Sequence, residues 1–179
     1  MSIILETQRL RIREISLEDL DGLYALDSDP EVHRYLGNNP VTDKKELEDV
    51  VRFIQQQYKD FGIGRWAVLD KETGDFLGWS GLKYVTTEIN GYSNYYDLGY
   101  RFIRKYWGQG IATESALAII SHAFQNMKLD DVYSMVELEN AASNKLLLKI
   151  GMKYKNTFDY EGVNHNWFSI SSLEYKNLN

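Results

Sequence analysis

Gly108 and Gly110, in the segment RKYWGQGIATES (Arg104–Ser115), lie between an aromatic, strand-like run and a helix-like run. The first turn of a helix carries unsatisfied N–H groups and the positive end of the peptide dipole. Without side chains there, the backbone can close around phosphate oxygens as an anion cradle. Arg104 and Lys105, just upstream, bring positive charge to the same ligand. The two glycines would also suit a plain flexible turn. Two nucleotide motifs do not fit. A Walker-type phosphate loop ends Gly-Lys-Ser/Thr, whereas Ile111 and Ala112 follow Gly110. A dinucleotide fingerprint needs a third small residue where Thr113 stands, and it belongs to a βαβ repeat rather than a chain that opens with helices.

Few other residues could do chemistry. Asn140 precedes a helix-like run and is among the best N-cap types. Glu137 and Glu139 alternate with Val136 and Leu138, so a carboxylate there can face a ligand, although a charge at a strand edge is ordinarily only solvated. His33 and His165 are isolated, and no His/Asp/Glu cluster has metal-ligand spacing, so no metal is expected. The chain has no cysteine, which excludes disulfides, thiolate metal sites and a cysteine nucleophile.

The elements that position these residues follow from hydrophobic periodicity. Arg9–Ile15 alternates as a half-buried strand, and Ser16 caps a helix carrying Leu20, Leu23 and Tyr24. Pro30 opens a short helix that Gly37 ends. A longer helix up to Gly62 places Leu47, Val50, Val51, Ile54 and Tyr58 on one face. RWAVLD, KETGD and FLGWSGLKYV read as strand, turn and strand, and YYDLGYRFI as a further strand. The helix after Gly110 carries an apolar stripe through Ile111, Ala116, Ile119, Ile120 and Ala123. Asp131–Leu138 is a strand, Asn140–Gly151 a short helix, and MKYKNTFDY with HNWFSISSLEY a closing hairpin. The order predicts a mixed α/β (α+β) fold around one sheet.

The 179 residues suit one domain, expected to span 1–179. A net charge of −6 argues against a nucleic-acid partner and is compatible with a cationic substrate such as an amine. No apolar run approaches the roughly 18–20 residues that cross a bilayer, so no membrane association is expected. MSIILETQRL has no basic n-region, and the expected location is cytoplasmic.

YWGQGIATES resembles motif A of the GNAT N-acetyltransferases, whose pattern is Arg/Gln-x-x-Gly-x-Gly/Ala, and more specifically their ribosomal-protein (RimJ/RimL-like) branch. ETQRLRIREISLEDL, DSDPEVHRYLG, FLGWSGL, DLGYRFIRKYWGQGIATES and VELENAASNKLLLKIGMKY resemble successive blocks of that family, in order, over nearly the whole chain. The resemblance implies a mixed, mostly antiparallel sheet of about six to seven strands with splayed parallel strands in its middle and about four flanking helices. It implies acetyl-coenzyme A as co-substrate, its pyrophosphate held by backbone N–H groups within Gly108, Gln109, Gly110, Ile111, Ala112 and Thr113. The pantetheine arm is expected against backbone near Phe102 and Ile103, and bonded by Asn140. Lys105 replaces the motif's arginine or glutamine, and Arg104 replaces a proline common in this branch.

The implied reaction is attack by a neutral amine on the thioester, through a tetrahedral adduct stabilised by a backbone N–H, with thiolate departure. Asp97 and Glu137 are the candidate bases, Asp97 because this branch often has an acid there. Many relatives place a proton-donating tyrosine where this chain has Leu147; Ser143 is the candidate in its stead. Ser143 is also a natural early-helix residue bonding its own backbone. Tyr84, Tyr92, Tyr95, Tyr96, Tyr100 and Trp167 suit either an acceptor pocket or the sheet core. The resemblance implies as acceptor a small-molecule amine, a polyamine or a protein N-terminus, and a monomer or homodimer is expected. The alternatives are a non-catalytic acyl-coenzyme A sensor of the same fold, or a nucleotide-binding module if the glycines hold ATP or a dinucleotide.

Overall fold

Alternating residues in the first half bury Leu10 and Ile12 and leave Arg11 and Arg13 on the other face, so that segment pairs as a strand. The computed structural model describes residues 3–178; Met1, Ser2 and Asn179, the ends of the expected 1–179 domain, lie outside the described residues. Its elements are β1 (Ile3–Glu6), β2 (Leu10–Glu14), α1 (Leu20–Asp27), α2 (Pro30–His33), α3 (Lys44–Phe61), β3 (Arg65–Asp70), β4 (Phe76–Val85) and β5 (Tyr95–Phe102). They continue as α4 (Ile111–Gln125), β6 (Asp131–Glu137), α5 (Ala141–Lys149), β7 (Lys153–Tyr160), β8 (Val163–Ser171) and α6 (Ser172–Leu178).

One eight-stranded sheet runs β1-β2-β3-β4-β5-β6-β8-β7, parallel between β5 and β6 and antiparallel elsewhere. The α/β class is as expected, with more elements than the resemblance implies. β1 adds an edge strand that the unalternating IILE does not announce. The closing strand stops at Ser171 instead of continuing to Tyr175, because Ser171 and Glu174 exchange reciprocal side-chain to backbone hydrogen bonds that start α6. Ser-x-x-Glu is a helix-start pattern, so that signal was present in the sequence.

α3 is capped at its start by Asp43, in a capping box with Glu46, and at its end by left-handed Gly62. It buries Leu47, Val51 and Ile54 against α1 and Trp79, but Val50, expected on that face, is 43% exposed. α4 covers the opposite face of the sheet, where Ile119 and Ile120 pack with Leu98 and Phe102, and Leu147 of α5 joins the same core. The helices thus bracket the strand pair β5–β6, whose pairing breaks off.

Candidate active site

β5 and β6 pair at Asp97 and Tyr133 and then part. Strands that separate leave main-chain groups without ladder partners, and buried ones must be satisfied otherwise. At the fork, side chains do this. The Ser134 hydroxyl donates to Leu98 C=O (2.9 Å), and the Met135 amide supports the charge of the Asp97 carboxylate. At the far end of β5, Trp107 Nε1 donates to Phe102 C=O (2.7 Å). Ile103 N–H points the other way, donating to Leu77 C=O on β4. Strand alternation therefore turns the Tyr100 and Phe102 amides into the gap and removes Ile103 from the expected backbone contacts. A cleft of about 750 Å³ occupies the gap, running from Arg65, Asp97 and Gly99 to the loop at Gly108–Thr113.

That loop has the backbone its glycines predict. Gly108 and Gly110 both take left-handed φ, +73° and +79°, and Gly110 is the N-cap of α4 with no side-chain cap. The first-turn amides of Ile111, Ala112 and Thr113 open toward the cleft without a capping oxygen. Gln109 and Lys105 are not in its lining. The Gln109 side chain donates to Lys105 C=O (3.0 Å), and the Lys105 ammonium lies 4.7 Å from the Tyr106 ring centroid. Both brace the turn that leads into α4.

Arg9, which sequence reasoning missed, ties this loop to β2. Its guanidinium donates to Gln109 C=O (3.0 Å) and pairs with Glu114 of α4 (2.7 Å), which Thr7 also bonds. Its signal, a charged residue a hundred positions from its partners, is invisible to any local pattern. Arg9→Ala is expected to weaken coenzyme A binding roughly 3- to 10-fold, since it removes charge-assisted bonds that hold the loop from outside. Titration calorimetry on the variant would read that loss directly.

Asn140 caps α5, its Oδ1 accepting from Ser143 N–H (3.1 Å), which leaves its amide nitrogen available to the cleft it lines. Ser143 lines the cleft beside Tyr100. The Tyr100 hydroxyl is buried with no hydrogen-bond partner among the described residues. Burial pushes it up to about 12, with Ser143 acting against that rise. Leu147 is fully buried in the core, so the position of the family's tyrosine does not face the cleft. Asn144 donates to Glu137 C=O and Asn140 C=O and accepts from Asn166, fastening α5 to β6 and β8.

At the fork end, burial pushes Asp97 up to about 6; Arg65, Lys83 and the Met135 N–H only partly offset it. Arg65 Nη2 lies 3.5 Å from Asp97 Oδ2, and its guanidinium stacks over Trp79. Glu137 and His165, cross-strand partners, line the same cleft, whereas Glu139 is exposed outside it. Of the aromatics expected at an acceptor pocket, Tyr100 reaches the cleft. Tyr92, Tyr95 and Trp167 pack with Tyr133 into a separate cluster, where Trp167 is fully buried. His33 is a core residue against Asp27 (3.4 Å).

A forked parallel pair opening onto a glycine-built helix start is thus present, and comparison with known proteins agrees with it. The family description "Acetyltransferase (GNAT) domain" matches residues 9–153. The chain belongs to the GNAT acetyltransferase family. The uncharacterized N-acetyltransferase p20 of Bacillus licheniformis is 33% identical over 177 residues, covering 96% of this chain and 97% of that protein. RimL, the ribosomal L7/L12 alpha-N-protein acetyltransferase solved with coenzyme A, superposes with a TM-score of 0.80 at 17% identity, over 95% of this chain and 98% of that one. Spermidine N-acetyltransferase from Vibrio cholerae, solved with CoA and spermine, gives 0.76 at 18% identity, over 96% and 100%. At such identities the two solved structures show a shared fold. With the family match, the chain is a GNAT acyltransferase, and this family uses acetyl-coenzyme A.

Proposed function

We propose that this protein moves the acetyl group of acetyl-coenzyme A to a primary amine, by direct attack, as a member of the RimJ/RimL-like branch. The observation that carries the reading is the fork between β5 and β6, whose unpaired amides lead into the Gly108–Gly110 cradle. The pyrophosphate sits on the amides of Gly110 to Thr113, and the pantetheine arm runs along Tyr100 and Phe102 toward the fork. Asn140 bonds the arm with its free amide nitrogen. Asp97 takes the proton from the acceptor ammonium, and an unpaired β5 amide, Tyr100 or Phe102, holds the developing oxyanion. Glu137 and His165 sit farther along β6 and β8, where they steer the acceptor. Ser143, beside the Tyr100 hydroxyl, relays the remaining amine proton of the adduct to the departing thiolate.

The acceptor is a small-molecule amine or a protein N-terminus, the classes on which the spermidine enzyme and RimL act by name. We place residues 1–179 in one acetyltransferase unit, working in the cytoplasm as monomer or homodimer.

The test is a calorimetric titration with acetyl-coenzyme A, with ATP and NAD as controls, followed by an assay of thiol release over a panel of amines. Binding of acetyl-coenzyme A alone, near one per chain, with amine-dependent thiol release supports the proposal. Preference for ATP or NAD refutes it. Leu147 in the core favours a second reading, a sensor without turnover; tight binding with no thiol released by any amine would establish that instead.

A further inference from the structure

Arg65 and Arg101 stand side by side on the cleft floor, at the acceptor end. Arg65, from β3, lies in one register row with Gly81 of β4 and Gly99 of β5. The glycines leave a trough across which its side chain reaches β5, and a Cβ on Gly99 would come within 3.1 Å of Arg65 Nη2. Trp79 lies beneath both guanidiniums, its ring centroid 4.5 Å from Arg65 Cζ and 5.3 Å from Arg101 Cζ. Two like charges are thus held together over one indole, and burial with Arg101 nearby makes Arg65 easier to deprotonate than usual, against the pull of Asp97.

Their anionic partners do not use up the donors. A guanidinium carries five N–H groups. Among the described residues, the Arg65 guanidinium makes one hydrogen bond, a long one of 3.5 Å to Asp97, and the Arg101 guanidinium makes one, to Asp27. The Nε of each is buried with no partner. Asp27 is shared with His33. Buried donors without acceptors are costly and call for an explanation, and a ligand supplying oxygens at this spot is one. A carboxylate matches the planar fork of a guanidinium, whereas a polyamine would bring further positive charge against Arg65, Arg101 and the nearby Arg34. Glu31 and Glu137, also in the lining, suit the amine of the same molecule.

We propose that the acceptor is an amine that also carries a carboxylate, its acid group on Arg65 and Arg101 and its amine toward Asp97. This rests on the acetyl-transfer reading and narrows it. The acid can belong to a free amino acid or to an acidic side chain next to a peptide's amino end, and both offer the same chemistry.

The experiment measures binding, so that it does not depend on turnover. Matched N-acetylated products are titrated into the protein with coenzyme A present: N-acetyl amino acids against their carboxamides, and N-acetyl dipeptide amides with aspartate against asparagine second. A preference of about tenfold or more for the carboxylate in either pair supports the proposal, and the pair that shows it identifies the source. Equal affinities, or tighter binding of N-acetylspermidine, overturn it. Arg65→Gln and Arg101→Met should each bring the carboxylate-to-amide ratio close to one; a ratio unchanged in both variants removes these arginines from the site. Should a variant fail to fold, the wild-type ratio still decides between acid-bearing and polyamine acceptors. Thiol release, followed separately, shows whether the acetyl-transfer reading itself stands.

Discussion

Asp97→Asn is expected to lower kcat by about two to four orders of magnitude while making the protein more stable at neutral pH. The two effects share one cause. The Asp97 carboxyl titrates near 6 instead of its ordinary 3.8 because burial penalises its charge more than Arg65, Lys83 and the Met135 amide support it. Holding it ionised therefore costs the native state about 3 kcal/mol at pH 7. Below about pH 4 the carboxyl is protonated in both folded and unfolded chains, and no cost arises. Between pH 4 and 6 the unfolded chain ionises first, so the wild-type protein loses stability as pH rises. Above 6 the cost is complete.

Asparagine mimics the protonated form, so the variant should match the wild type near pH 4 and exceed it by about 1–3 kcal/mol at pH 7. Arg65 loses its anion in the variant, but at 3.5 Å that contact is weak. Activity should show the complement. If Asp97 takes the proton, kcat/KM of the wild type rises with pH through about 6, and that limb disappears in the variant. Urea melts at pH 4 and 7, with a pH–rate profile, test both halves. A variant less stable at pH 7 and still active would make Asp97 a structural anchor for Arg65 instead.

Gly110→Val is expected to weaken coenzyme A about 30- to 100-fold, roughly 2–3 kcal/mol, with little effect on a substrate that lacks the pyrophosphate. Among the described residues, a Cβ at Gly110 meets within 4 Å only Arg9 Nη2, at 3.5 Å, an ordinary contact. Packing therefore does not forbid a side chain. The obstacle is the φ of +79°, which a β-branched residue adopts at a cost of about 1–3 kcal/mol and escapes by turning the first amides of α4 away. Acetylpantetheine, which would use only the fork, is the control: its kcat/KM should change less than about threefold while acetyl-coenzyme A loses affinity. Equal losses on both substrates would place the fault in general destabilisation rather than in an anion cradle.

Much of this protein was legible in the sequence because the signals were local. Gly108-x-Gly110 between a strand and a helix requires the left-handed backbone found there, and Asn140 before a helical run requires the cap it makes. Most elements, too, were readable from periodicity, since burial of one face repeats every 2 or 3.6 residues. Edges were harder. β1 and α6 are held by pairing and by one capping box, and the exposure of Val50 depends on what α3 packs against.

Tertiary structure alone decided which side chains share a charge or a cavity. Burial at the fork, not residue type, raises the Asp97 carboxyl above its ordinary range. Arg9 meets Glu114, and Arg65 meets Asp97, across separations no pattern spans. Tyr100 reaches the cleft while Trp167 goes to a core, because strand alternation and register assign the faces, and a one-residue slip would exchange them. A sequence carries backbone requirements in single residues. Desolvation and electrostatic coupling belong to pairs, and they exist only once the chain has brought the pairs together.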